Sequence, residues 1–419
     1  MSTDLSAYIP IDRRHALARG VTLPEHAAGT ALFADVAGFS VLAEALVREL
    51  GSRRGAEELT AQLNRVYESL IGAVHRFHGS VVGFSGDAIT CWFDDTSERQ
   101  TANDAALRAV ACGLAMQRSL RQLTVLTTPG GALVTLAIKV AVASGPVRRF
   151  LVGDPSIQLL DVLAGRTLDR LAATEHTAER GEIVIDTQTA ELLGEALVLS
   201  GWHIDRQGNR RSAIVASLTQ SVAPDPWPVL PTKLGTVQLR PWLAPAVAAH
   251  LGDMHAQFLA ELRPAVALML QFGGIDYDHD PNAGAQLNAF IRQVQRVAAR
   301  YDSHVLDVTI GDKGSYMYVV FGAPVAHDND AARAVACALE IKQVAPEVCI
   351  GIAAGQMRCG AYGSSQRRTY GVLGDKTNLA ARLMSLAESG AIVCDDTIFR
   401  QARRQWEFVA LPPVRVKGK

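Results

Sequence analysis

A seven-residue run occurs twice in this chain, and the recurrence constrains the fold more than any other feature. Arg108-Ala109-Val110-Ala111-Cys112-Gly113-Leu114 returns as Arg333-Ala334-Val335-Ala336-Cys337-Ala338-Leu339, 225 residues later. Each run follows an Asn-Asp pair (Asn103-Asp104, Asn329-Asp330), which supplies a helix N-cap and a first-turn acid. Downstream, Ala141-Val142-Ala143-Ser144-Gly145 matches Gly351-Ile352-Ala353-Ala354-Gly355 at an offset of 210. Gly181-Glu182-Ile183-Val184 likewise parallels Gly390-Ala391-Ile392-Val393. Two copies are too few for a solenoid, so the chain reads as a tandem duplication of one domain.

Strand and helix patterns alternate within the first copy. Thr30–Val36 reads as a buried strand, and Ala56–Phe77 sets Leu59, Leu63, Val66, Leu70, Ile71 and Val74 at helical period. Ser80–Phe84 and Ala88–Phe93 flank a Gly-Asp turn, a hairpin pattern. A helix over 103–120 and a strand over Leu133–Ala143 complete a βαββαβ order. The expected class is α+β, with two ferredoxin-like domains in tandem, each covering one face of an antiparallel sheet with helices. The expected boundaries are an N-terminal segment 1–27, a first domain 28–205, a linker 206–262 and a second domain 263–419. Pro224, Pro226, Pro228, Pro231, Pro241 and Pro245 mark the linker, and Ala244–Leu259 reads as a short helix within it.

Composition narrows the partners. Forty-one basic residues against 42 acidic ones give no electrostatic case for nucleic acid. The longest uncharged stretch, Leu123–Ile138, contains Pro129-Gly130-Gly131 and falls short of the ~20 apolar residues of a spanning helix, so no membrane partner is expected. Met1-Ser2-Thr3-Asp4 opens without a basic or apolar leader pattern. The six cysteines are scattered and form no C-x-x-C pair, which suits reduced thiols and a cytoplasmic setting.

The copies diverge where chemistry is expected. Asp35 lies in Leu32-Phe33-Ala34-Asp35-Val36-Ala37-Gly38-Phe39-Ser40, and Asp87 lies in Gly83-Phe84-Ser85-Gly86-Asp87. The second copy carries Ser315 opposite Asp87, and no carboxylate on its first strand until Asp276. It carries instead Asp312-Lys313-Gly314 and Gly374-Asp375-Lys376-Thr377-Asn378-Leu379-Ala380-Ala381-Arg382. The first-copy residues matching Asn378 and Arg382 are Leu168 and Ala172. Taken singly, Asp35 could cap a helix and Asp87 could belong to an ordinary turn. Complementary loss across two copies points to one composite site between them.

In these segments the chain resembles the class III nucleotidyl cyclases. The tandem arrangement is similar to the bicarbonate-responsive soluble adenylyl cyclase type, over roughly residues 28–205 and 263–419. The resemblance implies a pseudo-symmetric intramolecular heterodimer. ATP would become cyclic AMP and pyrophosphate at its interface, with one active and one degenerate site. Asp35 and Asp87 would hold two Mg²⁺, for which Mn²⁺ can substitute, because Mg²⁺ takes carboxylate oxygens plus phosphate and water. The N–H groups of Gly38, Phe39 and Ser40 would face the triphosphate at a helix N-terminus. Asn378 would orient the ribose. Arg382, one turn on, would stabilise charge on the α-phosphoryl group. Lys313, Gly371 and Val372 would face the base, Lys417 the terminal phosphate, and Arg170 a regulatory bicarbonate.

Two residues depart from the pattern. Gly371 stands where an acid or threonine usually reads the base, which leaves guanylate cyclase as an alternative to adenylate cyclase. Gly83 stands where soluble-type relatives often carry lysine. Both departures also suit a catalytically weak sensor derived from a cyclase. A P-loop reading of Gly371–Thr377 fails, because Asp375 separates Gly374 from Lys376.

Overall fold

The computed structural model describes residues 4–95, 104–121, 125–252, 261–311 and 314–412. The first half begins with α1 (Ile11–Arg19), β1 (His26–Ala37), α2 (Phe39–Arg76), β2 (Ser80–Ser85), β3 (Ala88–Asp94) and α3 (Asp104–Arg121). It continues through β4 (Val125–Thr127), β5 (Leu133–Thr135), β6 (Ala137–Val152), β7 (Leu160–Ala164) and α4 (Arg166–Glu175). β8 (Ile183–Asp186), α5 (Thr187–Leu193), β9 (Leu197–Ile204) and β10 (Arg210–Leu218) close it. Two short helices, α6 (Thr236–Leu239) and α7 (Pro245–Gly252), lead to the second half. That half runs β11 (Glu261–Phe272), α8 (Ala283–Arg300), β12 (His304–Thr309), β13 (Ser315–Phe321), α9 (Asp330–Val344) and β14 (Cys349–Gly363). It ends with β15 (Arg368–Leu373), α10 (Asp375–Leu386), β16 (Ile392–Cys394) and α11 (Asp396–Ala402).

The duplication expected from the sequence is present. The first sheet has the order β2-β3-β1-β6-β8-β10-β9 and the second β12-β13-β11-β14-β15. Thus β2-β3-β1-β6 and β12-β13-β11-β14 are equivalent, and β8 and β16 run parallel to β6 and β14 respectively. Period-two alternation sorts β1 onto two faces. Leu32, Ala34 and Val36 join Leu63, Val66 and Leu70 of α2 in the helix-side core, while Ala31 and Phe33 pack on the opposite face, that of α4. Asp35 shares that second face.

Each half also lends an arm to the other. The β14–β15 hairpin places Tyr362 in the core of the first half, and β6–β7 places Phe150, Val152 and Val162 in the core of the second. Matching amide contacts seat the two arms. Gly363 N–H donates to Asn64 Oδ1 at 3.0 Å, and Gly153 N–H donates to Asn288 Oδ1 at 2.9 Å. The pseudo-two-fold relation is therefore built into reciprocal packing.

Several expectations need correction. Residues 133–143 are not one strand, because β5 pairs with β4 while β6 starts at Ala137. The chain bends at Leu136 as it passes Gly38, where an added Cβ would stand 2.6 Å from the Thr135 carbonyl oxygen. α2 begins at Phe39, ahead of the Ala56 start expected from the apolar period, and its helical geometry breaks at Gly51. β10 pairs with β8, so the first sheet continues past residue 205. The linker helix spans Pro245–Gly252, and Asn103 and residues 253–260 lie outside the described residues. All six cysteines are free thiols, with Cys112 and Cys337 buried on α3 and α9. Among the described residues no helix is long and apolar enough to cross a membrane.

Candidate active site

Asp35 and Asp87 come together because β1 and β3 are neighbours. Asp35 pairs in register with Ala88, and the Val36 N–H donates to the Asp87 carbonyl at 3.3 Å. Burial pushes the Asp87 carboxyl up to about 6, and the Asp35 charge pushes it the same way. Burial also raises Asp35, against the pull of Lys139, whose Nζ lies 3.4 Å from Asp35 Oδ2. Two half-buried carboxylates, both raised by burial and one raised further by the other's charge, favour a cation. Among the described residues no cluster of three or more His, Cys, Asp or Glu could hold a metal. The pair thus suits an ion that takes its remaining ligands from phosphate and water, as Mg²⁺ does.

The turn that carries Asp87 is held from both halves. Gly86 O accepts the Tyr362 hydroxyl at 3.1 Å and the Tyr67 hydroxyl at 3.3 Å. One residue earlier, Ser85 donates to Asp307 of β12 at 3.1 Å. The Tyr362 ring lies 5.6 Å from both Tyr67 and Phe84, and Arg358 stands over it at 5.3 Å. The acid pair consequently lies at the contact between the halves.

α10 follows β15 directly and presents Asn378 and Arg382 one turn apart. Asn378 is exposed and Arg382 half-buried, and neither side chain makes a hydrogen bond or ion pair with another described residue. Their first-half counterparts show where such a helix lies. Leu168 and Ala172 of α4 line a cavity of about 340 Å³ between the halves, together with Gly83, Asp307 and Tyr316. A Cβ at Gly311, in the β12–β13 connection, would meet the Ala172 methyl at 3.9 Å. α10 itself packs on β14, β11 and β16. No direct contact joins Asn378 or Arg382 to the two acids.

The stretch expected to face a base, Gly371 and Val372, is already engaged within the protein. A side chain at Gly371 would meet the Tyr362 ring at 2.4 Å, so that ring fills the space of the usual base-reading residue. The Val372 carbonyl already accepts the Tyr318 and Thr377 hydroxyls, at 3.0 and 3.3 Å. Phe39 buries its ring in the helix-side core, leaving only its backbone to face a ligand. Gly38 precedes α2 with φ of 114°. Arg170 is engaged within its own half: Nε donates to Asp186 at 2.7 Å and Nη2 to the Ser144 carbonyl at 2.5 Å. Arg170 does not line the cavity. Lys313 and Lys417 lie outside the described residues, as does the side chain of Ser40.

Sequence reasoning missed Lys139, Glu175, Tyr362 and Asp307. Lys139 left a visible trace as the one charge in Ala137–Val142. The others sit in segments that read as ordinary strand or helix surface.

A family model described as the adenylate and guanylate cyclase catalytic domain matches residues 21–210 and 271–419, one stretch on each half. Human adenylate cyclase type 10 is 21% identical over 430 residues, covering 93% of this chain and 26% of the human protein. The chain therefore spans about a quarter of the length of the curated relatives it matches over most of its own. A stretch of 83 residues, 18% of the chain, is 41% identical to an uncharacterised protein of Mycobacterium tuberculosis and covers 15% of it. Among solved structures, a class III adenylyl cyclase-like ATP-binding protein from Pseudomonas aeruginosa superposes with a TM-score of 0.57 at 11% identity. That superposition covers 93% of this chain and 91% of the other, and it bears on the fold alone.

Proposed function

Because the chain belongs to the adenylate and guanylate cyclase catalytic-domain family, we propose that it converts ATP to 3′,5′-cyclic AMP and pyrophosphate where its two halves meet. The observation that carries this reading is the half-buried pair of Asp35 on β1 and Asp87 on a turn held by Tyr362 of the opposite half. Two Mg²⁺ or Mn²⁺ ions held by that pair would neutralise charge on the entering ribose 3′-oxygen and on the departing pyrophosphate. The chain's own residues do the rest. Asn378 orients the ribose, and Arg382 meets charge accumulating on the α-phosphoryl group with a fork that never deprotonates. The first-turn N–H groups of Gly38, Phe39 and Ser40 receive the triphosphate. Lys313 faces the base and Lys417 the terminal phosphate. The ribose 3′-hydroxyl gives up its proton to solvent as its oxygen bonds to the α-phosphorus, the bond from that phosphorus to the bridging oxygen breaks, and pyrophosphate leaves.

The natural test is incubation of the purified chain with ATP or GTP and Mg²⁺ or Mn²⁺, with cyclic products quantified chromatographically. Cyclic AMP should form from ATP, and Asp35→Asn or Asp87→Asn should abolish it. A second reading, nucleotide binding without cyclisation, is favoured by the Tyr362 ring over Gly371 and the engaged Val372 carbonyl. Bound ATP with no cyclic product under either metal would select it. Bicarbonate finds less support, since the Arg170 donors are already directed at Asp186 and Ser144.

A further inference from the structure

We infer that Lys139 is a tethered cation that sits against Asp35 in the metal-free protein and sets how tightly the site takes a divalent ion. Glu175 is the acid that draws it off. The inference rests on the reading of Asp35 and Asp87 as the metal pair.

Lys139 lies directly opposite Asp35 in the β1–β6 register, with Nζ 3.4 Å from Asp35 Oδ2. The same Nζ pairs with Glu175 Oε1 at the end of α4. The ammonium is therefore shared between one acid that would bind metal and one that would not. Glu175 Oε2 is taken by His176 Nδ1 at 2.9 Å, so Glu175 offers Lys139 a single fixed oxygen. A divalent ion at Asp35 must displace the lysine, which then has Glu175 to receive it.

The second half shows that the fold itself does not require this ion pair. The equivalents of Asp35 and Lys139 are Gln271 and Cys349, paired in the same register of β11 and β14. The lysine occurs only beside the acid. A cross-strand ion pair also stabilises a sheet, so the sharing of the ammonium with Glu175 is what marks Lys139 as movable. A lysine held 3.4 Å from Asp35 also lowers the local negative charge that attracts a cation. As a positioning residue, Lys139 would keep the pair from taking metal indiscriminately and keep Asp35 oriented until an ion arrives.

The test is Mn²⁺ binding to the full chain, with free Mn²⁺ measured by electron paramagnetic resonance and no nucleotide present. Lys139→Met should bind Mn²⁺ about two- to fivefold more tightly than the parent, the scale of a partly exposed ion pair. Lys139→Gln should do the same if the methionine variant melts early, and Lys139→Arg should restore the parent affinity. Glu175→Gln should weaken binding, because the lysine then settles on Asp35 alone. In the double variant Lys139→Met/Glu175→Gln that weakening should vanish. Unchanged or weaker binding in both neutral Lys139 variants overturns the inference. Parent-like binding by Asp87→Asn overturns the metal-pair reading as well, which separates the two failures.

Discussion

Replacing Tyr362 tests whether the second half truly supports the acid pair. The side chain is 2% exposed and packs among Tyr67 and Phe84 of the first half, and its hydroxyl donates to the Gly86 carbonyl. Two substitutions separate the ring from the hydroxyl. Tyr362→Phe removes one hydrogen bond while Tyr67 still reaches the same carbonyl at 3.3 Å, so the loss should be about 1 kcal/mol. Tyr362→Ala empties a ring-sized volume in the first core and should cost about 3–5 kcal/mol. It also leaves Arg358 without the aromatic face it stands over. Urea unfolding followed by tryptophan fluorescence gives both values, and constant slopes would confirm that stability alone changed. If alanine costs no more than phenylalanine, the ring does not lie in the first half's core, and the reciprocal-arm description is wrong.

Arg382→Ala should lower kcat by about 10²–10³ with little change in KM, the pattern of a contact made in the transition state. Steady-state kinetics decides, and a change confined to KM would remove Arg382 from that role. The metal-free protein should also show a specific pH dependence. Asp87 is raised in the folded state to about 6 from 3.8, so its ionised form is disfavoured by folding. The resulting destabilisation is full above pH 6 and fades as pH falls toward 3.8. Asp87→Asn should therefore be the more stable protein at pH 7.5, by on the order of 2 kcal/mol, and the advantage should shrink by pH 4. Parallel melting curves across that range would show that Asp87 is not buried as described.

The sequence exposed the duplication because residues such as Arg108–Leu114 and Arg333–Leu339 pack into equivalent helices under equivalent constraints. It exposed the acid pair because a carboxylate at the end of an apolar strand and another in a Gly-Asp turn stand out against their surroundings. The exchange of arms was not readable. Whether β14–β15 packs on its own half or the other depends on contacts between residues about 300 positions apart, such as Arg358 Nε to Thr60 Oγ1 at 2.9 Å. A strand containing Arg358 and Tyr362 shows the same alternation either way. Lys139 stood out as a lone charge, but its pairing was hidden for a related reason. Its partners, Asp35 and Glu175, are set by β-register and by the length of α4, neither of which a local pattern fixes.

The two halves repeat one backbone plan but differ at the positions matched to Asp35, Lys139, Asp87, Asn378 and Arg382. One set is Asp35 against Lys139 on adjacent strands, Asp87 in the hairpin turn, and Asn378 and Arg382 on α10. The other has Gln271 against Cys349, Ser315 past the turn, and Leu168 and Ala172 on the helix. Charged groups are expensive to keep half-buried at an interface unless something repays their desolvation, and neutral residues build the same register without that cost. The first site nevertheless keeps two raised carboxylates beside a shared lysine. On the proposed reading, a cation held by Asp35 and Asp87 together with its anionic partner would offset that cost.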